Sequence, residues 1–202
     1  MGSPRSMIGK GKNRAAREEA LILAAGRLFA LRGYESATTR EIAIEAGCAE
    51  GLIHRYFAGK AGLLLALIQQ RVSREVDDMS KHVRPRPTLA EEVLQLVAYE
   101  IDRTWEEREF YKVIIPRAIV DPSIGHMLRQ HALGRRAHAV VERLKNLQAK
   151  AAVSATDLET LAHFIGILGF VFGFYRPAVL GGERVQSKEI GLRIAQIVAR
   201  DL

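Results

Sequence analysis

Apolar residues recur at intervals of three and four along almost the whole length of this 202-residue chain. That spacing places them on one face of an α-helix, and the period-two alternation of a half-buried strand is scarce. In the segment 14–32 the stripe consists of Leu21, Ala24, Ala25, Leu28 and Phe29. The pattern therefore predicts an all-α fold of about nine helices.

Helix-breaking and helix-starting residues divide this pattern into segments. Gly33 supplies a stop signal, Pro85 and Pro87 forbid helix, and Thr88 with Glu91 predicts a capping box. The predicted helices span residues 14–32, 38–46, 49–56, 60–81, 89–108, 110–120, 122–150, 154–179 and 187–201.

Positive charge is concentrated at the N-terminus. The chain has a net charge of +7, and its first 17 residues hold five basic residues and no acidic one. We predict a flexible basic tail over residues 1–13 that reaches a polyanion such as DNA on binding. A tail that is simply disordered explains the same composition.

The segment 38–57 reads as a short helix, a turn at Gly47 and a second short helix. Helices of about two turns are unstable alone, so both must pack on each other and on the first helix. A compact unit of three such helices exposes its last helix for insertion into a major groove. The segment therefore predicts a helix-turn-helix.

Residues at fixed offsets around this segment point to one family. They are Gly33-Tyr34, Thr38-Thr39-Arg40-Glu41-Ile42-Ala43, Ala46-Gly47, Gly51, Tyr56-Phe57, Lys60 and Leu63-Leu64. This pattern resembles the DNA-binding domain of the TetR family of bacterial transcriptional regulators. The resemblance implies a helix-turn-helix domain at 14–59 and a helical ligand-binding and dimerisation domain at 60–202.

The sequence departs from the family pattern after the turn. Cys48 and Ala49 stand where the family usually has valine and then a capping residue, and alanine cannot cap a helix. Cys48 most simply replaces a buried apolar side chain, and redox sensing is the alternative. His54-Arg55 stands where aromatic residues are common, which alters the bases that such a helix would read.

The resemblance implies two kinds of DNA contact. Tyr56 and Lys60 are expected to bind backbone phosphates, and Thr38, Thr39 and Arg40 to anchor the start of their helix to the backbone.

Base reading is expected from the exposed residues of the third helix, namely Glu50, Leu52, His54 and Arg55. Alternatively, Glu50 acts only on the helix dipole, and Arg55 is a phosphate contact or a solvated charge. Gly51 either allows close approach to DNA or serves packing alone.

The helix predicted at 154–179 is apolar on nearly all sides, which suggests a partner subunit. The predicted dimer interface comprises Phe164, Ile165, Leu168, Phe172, Ile190, Ile194 and Ile197. Gly166, Gly169 and Gly173 form a flat strip where a neighbour can pack closely. A central core helix within one subunit is the alternative.

The family's ligand cavity implies an effector site among the middle helices. Candidate lining residues are Tyr99, Trp105, Phe110, Tyr111, Met127, His131 and His163. An apolar pocket would favour an apolar or aromatic effector. His163 is alternatively a hydrogen-bonded core histidine.

Other functional classes find little support in the sequence. Catalytic motifs are absent, and one cysteine excludes a Cys-rich zinc site, so we expect no enzyme, metal or cofactor. The apolar run 161–175 is shorter than the ~20 residues that a membrane span needs.

We therefore predict a cytoplasmic, homodimeric regulator that binds a palindromic operator and is a repressor released by a small molecule. A helical enzyme or sensor protein that has kept a DNA-binding-like domain is the alternative.

Overall fold

The computed structural model describes the backbone of residues 5–151 and 153–202, and the side chains of these residues outside 5–12, 72, 75–78, 80, 82, 131–133 and 148–151. Every regular element in these ranges is helical, which confirms the predicted all-α fold.

The helices are α1 (Arg5–Arg32), α2 (Thr39–Glu45), α3 (Gly51–Phe57), α4 (Lys60–His82), α5 (Leu89–Glu106), α6 (Arg108–Val120), α7 (Pro122–Met127), α8 (Gly134–Ala151), α9 (Ala155–Phe170) and α10 (Arg184–Val198). A π-helical segment, Leu128–Leu133, connects α7 to α8, and a second one, Val171–Val179, continues α9. A 3₁₀ turn, Ala199–Asp201, ends the chain.

Most predicted boundaries agree with these helices to within a few residues. The largest difference is at α1, which begins at Arg5 rather than near residue 14. Thr88 caps α5 by accepting from the Glu91 amide, and Asp121 caps α7 ahead of Pro122. The continuous helix Ala155–Val179 is longer than the apolar run inside it, and by length and composition it could cross a membrane. Half of its apolar window is buried within the chain, as in a core helix.

The chain divides into two compact units. The first comprises Met1–Arg71 and Lys112–Leu128, and the second comprises Val72–Tyr111 and Arg129–Leu202. The functional boundary predicted near Lys60 stays a prediction.

In the first unit, side chains of α1 to α4 form the core. The fully buried members include Leu21 and Phe29 of α1, Ile42 of α2, Ile53 of α3 and Leu64 of α4. The first residues of α4 therefore contribute to the same core as the three helices expected from the sequence.

In the second unit, α5 packs against α8, α9 and α10. Glycines of the continuous helix Ala155–Val179 allow close approach of α5. A Cβ atom on Gly169 would lie 2.7 Å from the Glu100 Cβ, and one on Gly173 would lie 2.4 Å from the Ile101 carbonyl oxygen. The neighbour that packs closely at Gly169 and Gly173 is therefore α5 of the same chain, whereas a Cβ atom on Gly166 would meet nothing within 4 Å.

Replacing Gly169 with alanine should lower the free energy of unfolding by about 1–3 kcal/mol, because the added methyl group overlaps Glu100. Gly166→Ala is the matched control, since a Cβ there would meet nothing within 4 Å. Its effect should be neutral or a gain of up to about 1 kcal/mol from helix propensity. Urea unfolding at one fixed protein concentration measures both, and equal stabilities for the two variants would contradict this packing.

Candidate nucleic-acid interface

A capping box fixes the start of α2. The Thr38 hydroxyl accepts from the Glu41 amide at 3.2 Å, and the Glu41 carboxylate accepts from the Thr38 amide at 3.0 Å. These donations from Thr38, together with the charge of Arg32, hold the pKa of the Glu41 carboxyl below its usual value of 4.5. Two of the free amides at this helix end are thereby satisfied.

Two ion pairs connect α2 to α1. Arg32 Nη1 lies 2.5 Å from Glu41 Oε1, and Arg27 Nε lies 2.6 Å from Glu45 Oε1. Each exposed pair contributes only about 0–1 kcal/mol, so burial of Ile42 supplies more of the attachment.

The turn between α2 and α3 depends on Gly47, whose φ of +62° favours glycine. The Cys48 amide then donates to the Ala43 carbonyl at 2.9 Å. The Cys48 side chain is half-buried beside this turn.

The start of α3 has no side-chain cap, in agreement with the missing capping residue at Ala49. Instead, the Glu50 carboxylate accepts a hydrogen bond from the Thr39 hydroxyl at 2.6 Å. Two predicted DNA contacts, Thr39 and Glu50, therefore join the starts of α2 and α3 in this structure. A cytosine contact by Glu50 would compete with this bond.

Burial divides the side chains of α3 into two sets. Ile53 is completely buried, whereas Gly51, His54 and Arg55 are exposed and Leu52 is half-buried. The candidate base-reading residues therefore include accessible side chains. On α2, the predicted backbone contact Arg40 is exposed as well.

Tyr56, the predicted phosphate contact, lies under an arginine of α1. The Arg14 guanidinium is 5.0 Å from the centre of the Tyr56 ring, and Arg14 also pairs with Glu18. This arrangement puts a cation beside the phenol, so Arg14 joins the candidate phosphate-binding residues. In the sequence, Arg14 is one of the five basic residues among the first 17.

The junction between α3 and α4 requires Gly62. A Cβ atom on Gly62 would lie 1.6 Å from the Phe57 carbonyl oxygen, which no side chain could tolerate. The sequence pattern did not single out this residue, although a glycine inside a helical pattern is unfavourable relative to alanine and can mark a packing requirement.

Lys60 occupies an unexpected environment. Its ammonium group donates to the carbonyl oxygens of Tyr34, Glu35 and Ala37 at 2.9, 3.3 and 3.1 Å. An ammonium group has three N–H donors, so these bonds account for all of them. The predicted phosphate contact would require Lys60 to leave this loop.

Comparisons with known proteins agree with this geometry. The family described as bacterial regulatory proteins, tetR family, matches residues 21–67. The HTH-type transcriptional regulator BetI of Brucella melitensis biotype 2 is 30% identical over 139 residues, which cover 67% of this chain and 69% of BetI. The chain belongs to the TetR family.

Two further curated relatives match over shorter segments. The fatty acid metabolism regulator protein of Bacillus subtilis is 32% identical over 38% of this chain, and the transcriptional activator FasR of Mycolicibacterium smegmatis is 26% identical over 58% of it. These matches span 39% and 55% of the relatives' own lengths.

Solved structures with a similar fold match nearly the whole chain. GusR of Salmonella enterica superposes with a TM-score of 0.71 at 19% identity, covering 91% of this chain and 95% of GusR. FadR of Bacillus subtilis, solved in complex with stearoyl-CoA, gives 0.65 at 14% identity, covering 88% and 96%. At these identities the likeness establishes the fold alone.

The candidate effector residues that TetR-family architecture suggested have different environments. Tyr99, Trp105 and Tyr111 are half-buried and Phe110 is buried, all in the second unit, whereas Met127 is buried in the first. The side chain of His131 lies outside the described residues.

His163 is exposed on α9, which corrects its prediction as a lining or core histidine. The helix directs its neighbours Leu161, Ala162 and Ile165 inward and leaves position 163 outside.

Tyr111 joins a network that sequence analysis missed. Its hydroxyl lies 3.4 Å from donor nitrogens of Arg103 and Arg136, and Arg103 pairs with Glu100 at 2.9 Å. The rings of Phe170 and Phe174 lie 5.9 and 5.4 Å from the Tyr111 ring.

The predicted dimer residues divide into buried and exposed sets. Ile165, Leu168 and Phe172 are buried in the core of their own chain, so they are unavailable to a partner and their prediction is corrected. Phe164 and Ile190 are half-buried, whereas Ile194 and Ile197 are exposed. The helix Ala155–Val179 uses much of its apolar surface to form the core of its own chain, so only part of that surface is exposed.

Removing the α2 cap gives a direct test of this geometry. Thr38→Ala should lower the free energy of unfolding by about 1 kcal/mol, because both bonds of the capping box are lost or weakened. Thr38→Ser keeps the hydroxyl, so its free energy of unfolding should differ from that of the original protein by only about 0.3 kcal/mol. Urea unfolding monitored by circular dichroism measures both. A Thr38→Ala protein as stable as Thr38→Ser would argue against the box.

Proposed function

We propose that this chain is a DNA-binding transcription regulator that inserts α3 into the major groove. The observation that carries the proposal is the division of α3 into a buried anchor, Ile53, and exposed residues, His54 and Arg55. A recognition helix needs this arrangement because its core face must fix its orientation while polar side chains reach base edges. Family membership supports the same function.

The proposed contacts fall into two groups. Arg40, Tyr56 and Arg14 would bind the phosphate backbone, and the exposed side of α3 would read bases. The Thr38 and Thr39 hydroxyls donate to Glu41 and Glu50, so they would join the phosphate contacts only after releasing those carboxylates.

Exchanging exposed arginines tests these roles. Arg40→Ala should weaken binding to all duplexes and reduce the slope of log affinity against log salt by about 1, because one phosphate contact is lost. Arg55→Ala should change the preferred sequence if Arg55 pairs with guanine. Fluorescence anisotropy across a salt series measures affinity, and selection from a randomised duplex library measures preference.

Arg84→Ala is the charge-matched control, since Arg84 is an exposed residue of the loop before α5. Equal salt slopes for Arg40→Ala and Arg84→Ala would count against a phosphate contact at Arg40.

We further propose a homodimer on a palindromic operator. The continuous helix Ala155–Val179 and α10 leave large apolar side chains exposed in a single chain, and these include Ile167, Tyr175, Ile194, Ile197 and Val198. A second copy would bury them, and a two-fold pair of recognition helices would match two half-sites.

Charged substitutions in this surface should dissociate the dimer. Ile167→Asp and Ile197→Asp replace side chains that are 60% and 61% exposed, so the single subunit should fold while association is weakened. Ile119→Asp is the control, because Ile119 is 81% exposed on α6 of the first unit. Sedimentation equilibrium measures the mass. Unchanged dimers in both α9 and α10 variants would exclude this interface.

The regulator is further proposed to be a cytoplasmic repressor released by a small apolar or aromatic effector. The half-buried rings of Tyr111 and Phe170 pack on the buried ring of Phe174, and such aromatic side chains would suit an aromatic or apolar ligand. The FadR neighbour was solved with stearoyl-CoA. FasR is named an activator, so a reporter gene behind the selected operator decides the direction of regulation.

A further inference from the structure

Two cations flank the ring of Tyr34 in the loop between α1 and α2. The Lys60 ammonium lies 4.4 Å from the ring centre, and the Arg117 guanidinium carbon lies 5.0 Å from it. The ring of Phe29 packs at 5.1 Å. We call Tyr34, Glu35, Lys60 and Arg117 the Tyr34 clasp.

Lys60 holds the backbone of this loop. Its three hydrogen bonds reach carbonyl oxygens on both sides of Ser36, at Tyr34, Glu35 and Ala37. Main-chain acceptors of a loop between helices lack partners of their own, so one ammonium group satisfies three of them. The loop is thereby fixed to the first turn of α4.

Arg117 holds the same loop from α6. Its Nη1 atom lies 2.9 Å from Glu35 Oε1, and its Nη2 atom lies 3.5 Å from Asp121 Oδ2. Hydrogen bonds from Ser123, and then the charge of Arg117, keep the pKa of the Asp121 carboxyl below its usual value. Burial raises the pKa of the Tyr34 phenol, so the ring between the cations stays neutral at physiological pH.

The clasp lies immediately before the DNA-binding helices. Ala37 is fully buried, the next residue caps α2, and Thr39 is hydrogen-bonded to Glu50 before α3. A shift of the loop would therefore move the starts of both helices. Cation–ring contacts and three hydrogen bonds oppose such a shift.

We infer that Lys60 and Arg117 are positioning residues for DNA binding, which hold the α1–α2 loop through Tyr34 and do not bind phosphate themselves. The inference rests on the proposed DNA-binding function. It assigns the family's lysine position in this chain to a contact with protein carbonyls and gives α6 a role in shaping the DNA-binding surface.

Paired substitutions test the clasp on a duplex that the protein enriches from a randomised library. Tyr34→Leu removes the aromatic ring, whereas Tyr34→Phe keeps it. Arg117→Met removes the charge and keeps the stem, whereas Arg117→Lys keeps a cation. Lys60→Met removes the ammonium group, and Arg84→Met controls for the loss of one positive charge.

Tyr34→Leu, Arg117→Met and Lys60→Met should each bind this duplex about 5- to 10-fold more weakly. Tyr34→Leu loses both cation–ring contacts, whereas Arg117→Met and Lys60→Met each lose one contact together with the hydrogen bonds of that cation. Tyr34→Phe, Arg117→Lys and Arg84→Met should stay within about twofold. The slope of log affinity against log salt should match the original protein in all six, because no phosphate contact is lost.

Three results would overturn the inference. The first is that Arg117→Met and Lys60→Met bind the duplex as tightly as the unsubstituted protein. Another is a salt slope reduced by about 1 in Lys60→Met or Arg117→Met, which marks a direct phosphate contact. The third is equal weakening by Tyr34→Phe and Tyr34→Leu. If the Tyr34→Leu protein shows no thermal unfolding transition, it is not folded and cannot be interpreted. The comparison of Arg117→Met with Arg117→Lys then tests the inference, because Arg117 is partly exposed and its replacement should leave the fold intact. If the original protein enriches no duplex, the proposed function fails, and the inference fails with it.

Discussion

The length of α2 and α3 is the constraint on which the candidate interface depends. Each helix has seven residues, too few to be stable in water without outside contacts. Burial of Ile42 and Ile53 anchors both helices in the core of the first unit. The capping box at Thr38, the bond between Thr39 and Glu50 and the close approach at Gly62 then fix their ends.

This constraint separates the residues that position α3 from those that can touch DNA. Side chains on its buried side have no freedom to reach a ligand, and Lys60 is similarly occupied by loop carbonyls. The side chains of His54 and Arg55 are exposed, so they are available for recognition. Affinity and sequence preference are thus expected to respond to different substitutions.

The fold and the helix-turn-helix are predictable from the sequence because the apolar periodicity, Gly47 and the family pattern are local signals. The sequence could not predict which apolar residues of α9 face a partner, since a helix that is apolar on all sides carries no directional signal. The pattern therefore places Ile165 at the interface although it is buried in a core that includes residues of α5, and it places His163 in the interior although this residue is exposed. The acceptors of Lys60 are backbone carbonyls, which leave no trace in side-chain patterns.

The central claim is that α3 enters the major groove while the protein core and the loop before α2 hold it in place. A crystal structure of the protein with a duplex enriched from a randomised library tests this most directly. We expect Arg55 or His54 at base edges, Arg40 and Tyr56 at phosphates, and the Lys60 ammonium still on the carbonyls of Tyr34 and Ala37. A complex in which another element fills the groove would contradict the account.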